Sequence, residues 1–128
     1  MADNNRERAI DLAMGHVNVI WQADANAHSI QALAKTSSPA AILNIAGQEI
    51  LRVRDIATRF AELFNKEPRF TGTESPDALL NNASATHQLF GRPLTSIDQA
   101  LAWTADWVLR NGPTLDKPTH FESRDGKF

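Results

Sequence analysis

The stretch AILNIAGQEILRVRDIATRFAELFN, residues 41–65, decides the fold class. Residues 41–45 are a short, almost wholly apolar run closed by Ala46-Gly47. A strand buried on both faces of a parallel sheet reads this way. From Val53 the period changes. Val53, Ile56, Ala57, Phe60, Ala61 and Phe64 recur at helical spacing, which predicts a helix with one stripe turned to a core. Asp55 with Arg59, and Glu62 with Lys66, stand four residues apart on the other side and read as a solvated face. Strand followed by helix points to an α/β protein.

Working outward, Ile10–Ala13 and the β-branched and aromatic VNVIW of Val17–Trp21 read as two strands. Met14-Gly15-His16 offers the turn of a hairpin between them. Asp24 can cap a helix over about Ala25–Lys35, and KTSSP ends it, since Ser and Thr compete for backbone bonds and Pro39 cannot continue a helix. After Pro68, RFTG reads as a short strand. Asn82 can cap a helix ending at Phe90, with Gly91 as its left-handed terminator. The closing helix has the strongest signals: Ser96-x-x-Gln99 is a capping box and Asn111-Gly112 a stop. Trp103 and Trp107, with Ile97, Leu101 and Val108, form its apolar face. The expected order is ββαβα(β)αα, a small mixed strand–helix domain. Residues 1–9 read as a flexible N-terminus, 10–116 as the α/β domain and 117–128 as a C-terminal strap.

Composition excludes several chemistries. The 128 residues suit one domain. Thirteen Lys and Arg are interleaved with fifteen acids, which argues against nucleic acid. No apolar run approaches the ~20 residues of a membrane helix, and MADNNRERAI is no secretory signal, so a cytoplasmic protein is expected. There is no cysteine and no tyrosine. The four His, at 16, 28, 87 and 120, lack metal-ligand spacing, so no metal is expected. The six glycines form neither a dinucleotide nor a phosphate-loop fingerprint. His120, Ser123 and Asp125 supply the letters of a triad but lie too close on one segment to converge.

Read in order, AIDLAMGHVNVIWQADA, AAILNIAGQEILRVRDIATRF, NNASATHQLFGRP and SIDQALAWTADWVL resemble successive pieces of the C-terminal, substrate-side portion of an NAD-dependent epimerase/dehydratase, in the extended short-chain dehydrogenase/reductase family. In that likeness Asp24 is the acidic residue that opens a helix after the strand, and Asn44 and Gly47 fall in register with a strand–Asn–Gly–helix unit. The resemblance spans about Ala9 to Phe128 and implies NAD or NADP in the parent family. The family's nucleotide fold and its catalytic Ser and Tyr-x-x-x-Lys belong upstream of this region, so the chain alone is expected to bind no cofactor and to be inactive. Val17 stands where sugar-nucleotide members carry a phosphate-binding Arg, and Arg52 stands where the family has Ser or Thr.

The implied function is the substrate-binding portion of an oxidoreductase acting on a hydroxyl-bearing small molecule, with sugar-derived compounds among the candidates. Two alternatives stay open: a non-catalytic α/β binding or interaction module, and a subunit that completes a separate Rossmann chain. Four residues are candidate substrate or partner contacts. Trp21, at the end of a strand, suits packing or stacking; Lys117, His120 and Arg124 are cationic or titratable groups within the tail. Residues 41–45, without the other strands of the parent sheet, predict an exposed apolar sheet edge that recruits a Rossmann partner or drives self-association.

Overall fold

In the computed structural model, residues 9–121 and 123 are described. The elements are β1 (Ile10–Asp11), β2 (His16–Val17), α1 (Gln22–Ala32) with a 3-10 turn over Leu33–Lys35, β3 (Leu51–Arg52), α2 (Val53–Phe64), β4 (Phe70–Thr71), α3 (Ser84–Phe90) and α4 (Ile97–Leu109). The order is the expected ββαβαβαα. Of the N-terminus expected to be flexible, residues 1–9, all but Ala9 lie outside the described residues, as does most of the tail beyond Phe121.

The strands pair differently from expectation. No hairpin forms between β1 and β2. β1 runs parallel to β4, Ile10 opposite Phe70, and β2 runs antiparallel to β3, His16 opposite Arg52. The Asp11 carboxylate accepts from the Ala13 amide (2.9 Å) and bends the chain between the strands. The intervening groups then bond away from one another: Val53 N–H donates to Gly15 O (3.0 Å) and Ser75 N–H reaches Ala13 O (3.4 Å). Of VNVIW only Val17 lies in a ladder. Asn18 interrupts it by spending its amide on Gly47 O (3.3 Å), Asn81 O (2.7 Å) and Asn81 N–H (3.2 Å).

Residues 41–45 are not a strand either. The third strand is Leu51–Arg52, immediately before α2. An apolar run becomes a strand only beside a ladder partner, and among the described residues none lies along 41–45. Side chains serve it instead: Thr86 Oγ1 donates to Asn44 O (2.7 Å) and Asn44 Nδ2 donates to Asn82 O (3.1 Å). Asn44 therefore has a backbone-bonding role. Ile42 is left 89% exposed. In place of the predicted sheet edge there is an irregular segment with Ala41 and Ile42 exposed and Leu43 and Ile45 half-buried.

The helices follow the sequence more closely. In α2 the stripe holds: Ala57 and Ala61 are buried, and Val53, Ile56, Phe60 and Phe64 are half-buried. Its other face is less passive than expected. Asp55 pairs with Arg52 (3.6 Å), and Arg59 reaches across to Asp98 at the start of α4. Two buried alanines on α2 and Leu101 and Ala105 on α4 let these helices lie close. The rest of the core is Leu12, Met14, Ala46, Ala83, Thr86 and His28. α1 begins at Gln22, three residues earlier than expected, with Trp21 in place of Asp24 at the N-cap and no side-chain cap bond. α3 begins at Ser84, whose N–H donates to Asn82 Oδ1 (3.0 Å), and ends at Phe90; Gly91 follows with a positive φ of 87° but an extended ψ of 175°, not the left-handed helical turn expected.

α4 opens and closes as predicted. Ser96 Oγ accepts from Gln99 N–H (3.2 Å), and Asn111 takes a left-handed φ of 53°. The tryptophans are not core residues, however. Trp103 is 45% and Trp107 46% exposed, while Leu101 and Ala105 hold the buried positions. Trp107 packs over Gly112 and donates to Pro113 O (3.2 Å). Ser96→Ala is therefore expected to cost about 1 kcal/mol. Trp107→Ala should cost about 2 kcal/mol, short of the 3–5 kcal/mol of a fully buried aromatic. Urea unfolding of both variants checks the pair, and a loss above 3 kcal/mol for Trp107 would restore it to the core.

A second tether joins α2 to the loop after β4. Arg54 Nε donates to Glu74 Oε1 (2.7 Å), and its guanidinium lies 4.8 Å from the centre of the Phe70 ring. The Arg54 hydrogen bond, with backbone hydrogen bonding and the charges of Arg54 and Arg52, pushes the Glu74 carboxyl down to about 2. A lowered carboxyl stabilises the fold above its unfolded value and loses that contribution as pH falls through the folded value. The tether should be complete above the ordinary 4.5 and gone below about 2. Urea midpoints of the wild type and Glu74→Gln should differ at pH 6 and converge as pH approaches 2. A gap that stays constant over this range would refute it.

Candidate functional site

One cleft of about 450 Å³ opens between the 19–21 segment, the 47–51 segment, α2, the 93–97 loop and α4. The local sequence explains each wall. Val19, Ile20 and Trp21 are the part of VNVIW that Asn18 detaches from the ladder, so they form a wall rather than a sheet. Gly47 permits close approach at the back: a methyl added there would overlap the carbonyl of Val19. Ile56 and Phe60 come from the apolar stripe of α2, and Ala100, Leu101 and Thr104 from α4. Pro93 to Ile97 form the remaining side.

The loop is held by Asp24. Thr95 N–H donates to Asp24 Oδ2 (3.0 Å) across 71 residues of chain. Burial acts to raise the Asp24 carboxyl. Hydrogen bonds from the Thr95 side chain and backbone and from the Leu94 backbone, with the electrostatic effect of His28, outweigh it and lower the carboxyl below its ordinary value. Asp24 also lies in the first turn of α1, where a negative charge complements the helix dipole. It is therefore a clamp between α1 and the cleft wall, and not the N-cap expected for it.

Of the predicted contacts among the described residues, only Trp21 reaches this cleft. It lines the mouth and tilts against Trp103, with ring centres 5.1 Å apart. Lys117 and His120 lie on the exposed segment after α4 and are not among the lining residues. His120 has a left-handed φ of 52°, and its carbonyl accepts from Ser123 N–H (3.0 Å), so His120 and Ser123 meet through a backbone turn. Arg124 lies outside the described residues, as do Asp125 and the end of the expected strap. Phe121 remains 40% exposed.

The polar wall residues Gln48, Glu49, Thr95 and Thr104 had no signal of their own in the sequence. They come from three segments, and only folding brings them to one opening. Among the described residues there is no cluster of three or more His, Asp or Glu able to hold a metal ion. Among the described residues none of the four α-helices begins at a glycine-rich turn, their N-caps being Trp21, Arg52, Ala83 and Ser96. No helix among the described residues is long and apolar enough to cross a membrane.

The architecture has counterparts among solved structures. It is similar to UDP-glucuronic acid 4-epimerase from Bacillus cereus in complex with NAD, with a TM-score of 0.64 at 16% identity over 82% of this chain and 35% of that one. It is also similar to a UDP-galactose 4-epimerase, with a TM-score of 0.59 at 20% identity over 81% of this chain and 36% of that one. The chain thus spans about a third of the length of these epimerases. No protein-family model and no curated protein matches it. The likeness establishes the fold: a small mixed α/β unit corresponding to part of a Rossmann-type epimerase.

Proposed function

We propose that this chain is the substrate-side portion of an NAD(P)-dependent epimerase/dehydratase-like oxidoreductase acting on a hydroxyl-bearing small molecule. The observation that carries the reading is the cleft, formed by a fold shared with part of two epimerases, one of them in complex with NAD. In this role the chain supplies walls and orientation. The rest of that architecture supplies the nicotinamide cofactor, which accepts or returns hydride, and the proton-transfer groups that a chain without tyrosine lacks. The exposed 41–45 segment, with Ile42 bare, is the surface on which the cofactor half docks, within one polypeptide or between two.

Two measurements on the purified chain test this. Calorimetry with NADH and NADPH should detect no micromolar binding, and micromolar affinity would overturn the assignment of the cofactor half to other residues. Amide chemical shifts at Leu51, Thr95 and Ala100 should move on titration with small hydroxyl compounds. Shifts confined to the 117–121 segment would favour a tail-centred interaction module instead.

A further inference from the structure

The inventory of polar groups in the cleft indicates which ligands it can hold. No lysine, arginine or histidine lines it among the described residues. Its only charged side chain is the carboxylate of Glu49, exposed at the mouth. Two of the hydroxyls on the wall have already committed their protons. Thr104 Oγ1 donates to Ala100 O (2.8 Å), and the Thr95 side chain hydrogen-bonds Asp24. Glu49, Thr95 and Thr104 therefore offer acceptor lone pairs, while the Gln48 amide and the Ser96 hydroxyl, whose oxygen accepts from Gln99 N–H, can also donate. Between them lie Trp21, Leu51, Phe60 and Leu101, a predominantly apolar lining.

We infer that the cleft selects an uncharged, ring-shaped compound carrying hydroxyl groups, and disfavours anionic ligands such as a nucleoside diphosphate sugar. The inference deepens the proposed function and rests on the same cleft. An anion entering it would be stripped of water against apolar walls, with no cation to receive it and a carboxylate at the entrance. A hydroxyl would instead give its proton to a waiting acceptor while the ring covers the aromatic wall. The two structural neighbours are named for uridine diphosphate sugars, so this chain would share their fold and differ in its ligand charge.

A matched pair of probes tests it: 2-naphthol and 2-naphthyl phosphate, which share a ring and differ in charge, with UDP as a third. Calorimetry at pH 7 on the full chain should show 2-naphthol binding at least about tenfold tighter than either anion. Glu49→Gln, which removes the negative charge and keeps a carbonyl acceptor, should strengthen 2-naphthyl phosphate and narrow its gap to 2-naphthol; an unchanged gap would count against the charge inference. Ala100→Leu, which fills the cleft, should abolish 2-naphthol binding while amide spectra remain folded. If the phosphate binds in the cleft as tightly as the alcohol, the charge inference fails and the cleft reading survives. If 2-naphthol binds the Ala100→Leu variant undiminished, or no probe binds at all, the cleft itself is not the site and both fall.

Discussion

Leu12→Ala will cost the fold roughly 2–5 kcal/mol, the range for emptying a fully buried leucine site. Leu12 is 0% exposed, immediately after β1, and its N–H donates to Thr71 O (3.0 Å). That backbone bond survives the substitution, so the loss is one of packing. Few other side chains can absorb it, because the remaining core is mostly alanine. Leu12→Met keeps the volume and should cost less than about 1.5 kcal/mol. Native stabilities are only about 5–15 kcal/mol, so the alanine variant will sit near the edge of unfolding. Urea titration of both variants decides the matter. A loss below 1 kcal/mol for the alanine variant would mean that the β1–β4 junction is not the keystone of the core.

Gly47→Ala will be the most damaging small change in the cleft. The added methyl would overlap the Val19 carbonyl oxygen and lie 2.9 Å from its carbonyl carbon. Both are backbone atoms and cannot rotate aside. The neighbouring segments are also pinned, Asn18 Nδ2 donating to Gly47 O and His87 Nε2 bonding Ala46 O (3.0 Å). Overpacking of this kind costs about 1–3 kcal/mol, and more where backbone must move. Val19 and Gly47 both line the cleft, so the same substitution should abolish its ligand binding. Thermal unfolding with an alcohol titration checks both effects. Unchanged stability would mean that the 19 and 47 segments are not in contact.

Sequence alone determined the features that need only nearby residues. α2 was legible because its apolar stripe repeats within twelve residues. α4 was legible because Ser96 bonds an amide three residues away and Asn111 takes its left-handed turn locally. The α/β class follows from the same short-range patterns, and the family resemblance lies in those segments, but the third strand stands at Leu51–Arg52 and not at 41–45. Tertiary structure decided everything that needs a distant partner. Whether 41–45 becomes a strand depends on a neighbour to share its ladder, and an apolar run cannot say whether that neighbour exists. VNVIW is shortened by an asparagine whose partner lies 63 residues away. Asp24 looked like a cap, but its acceptor oxygen is taken by Thr95, 71 residues on. The cleft itself is assembled from residues spread between Val19 and Thr104. Its walls carry no signature in any one of them, because a cavity arises from how segments pack and not from what any one contains.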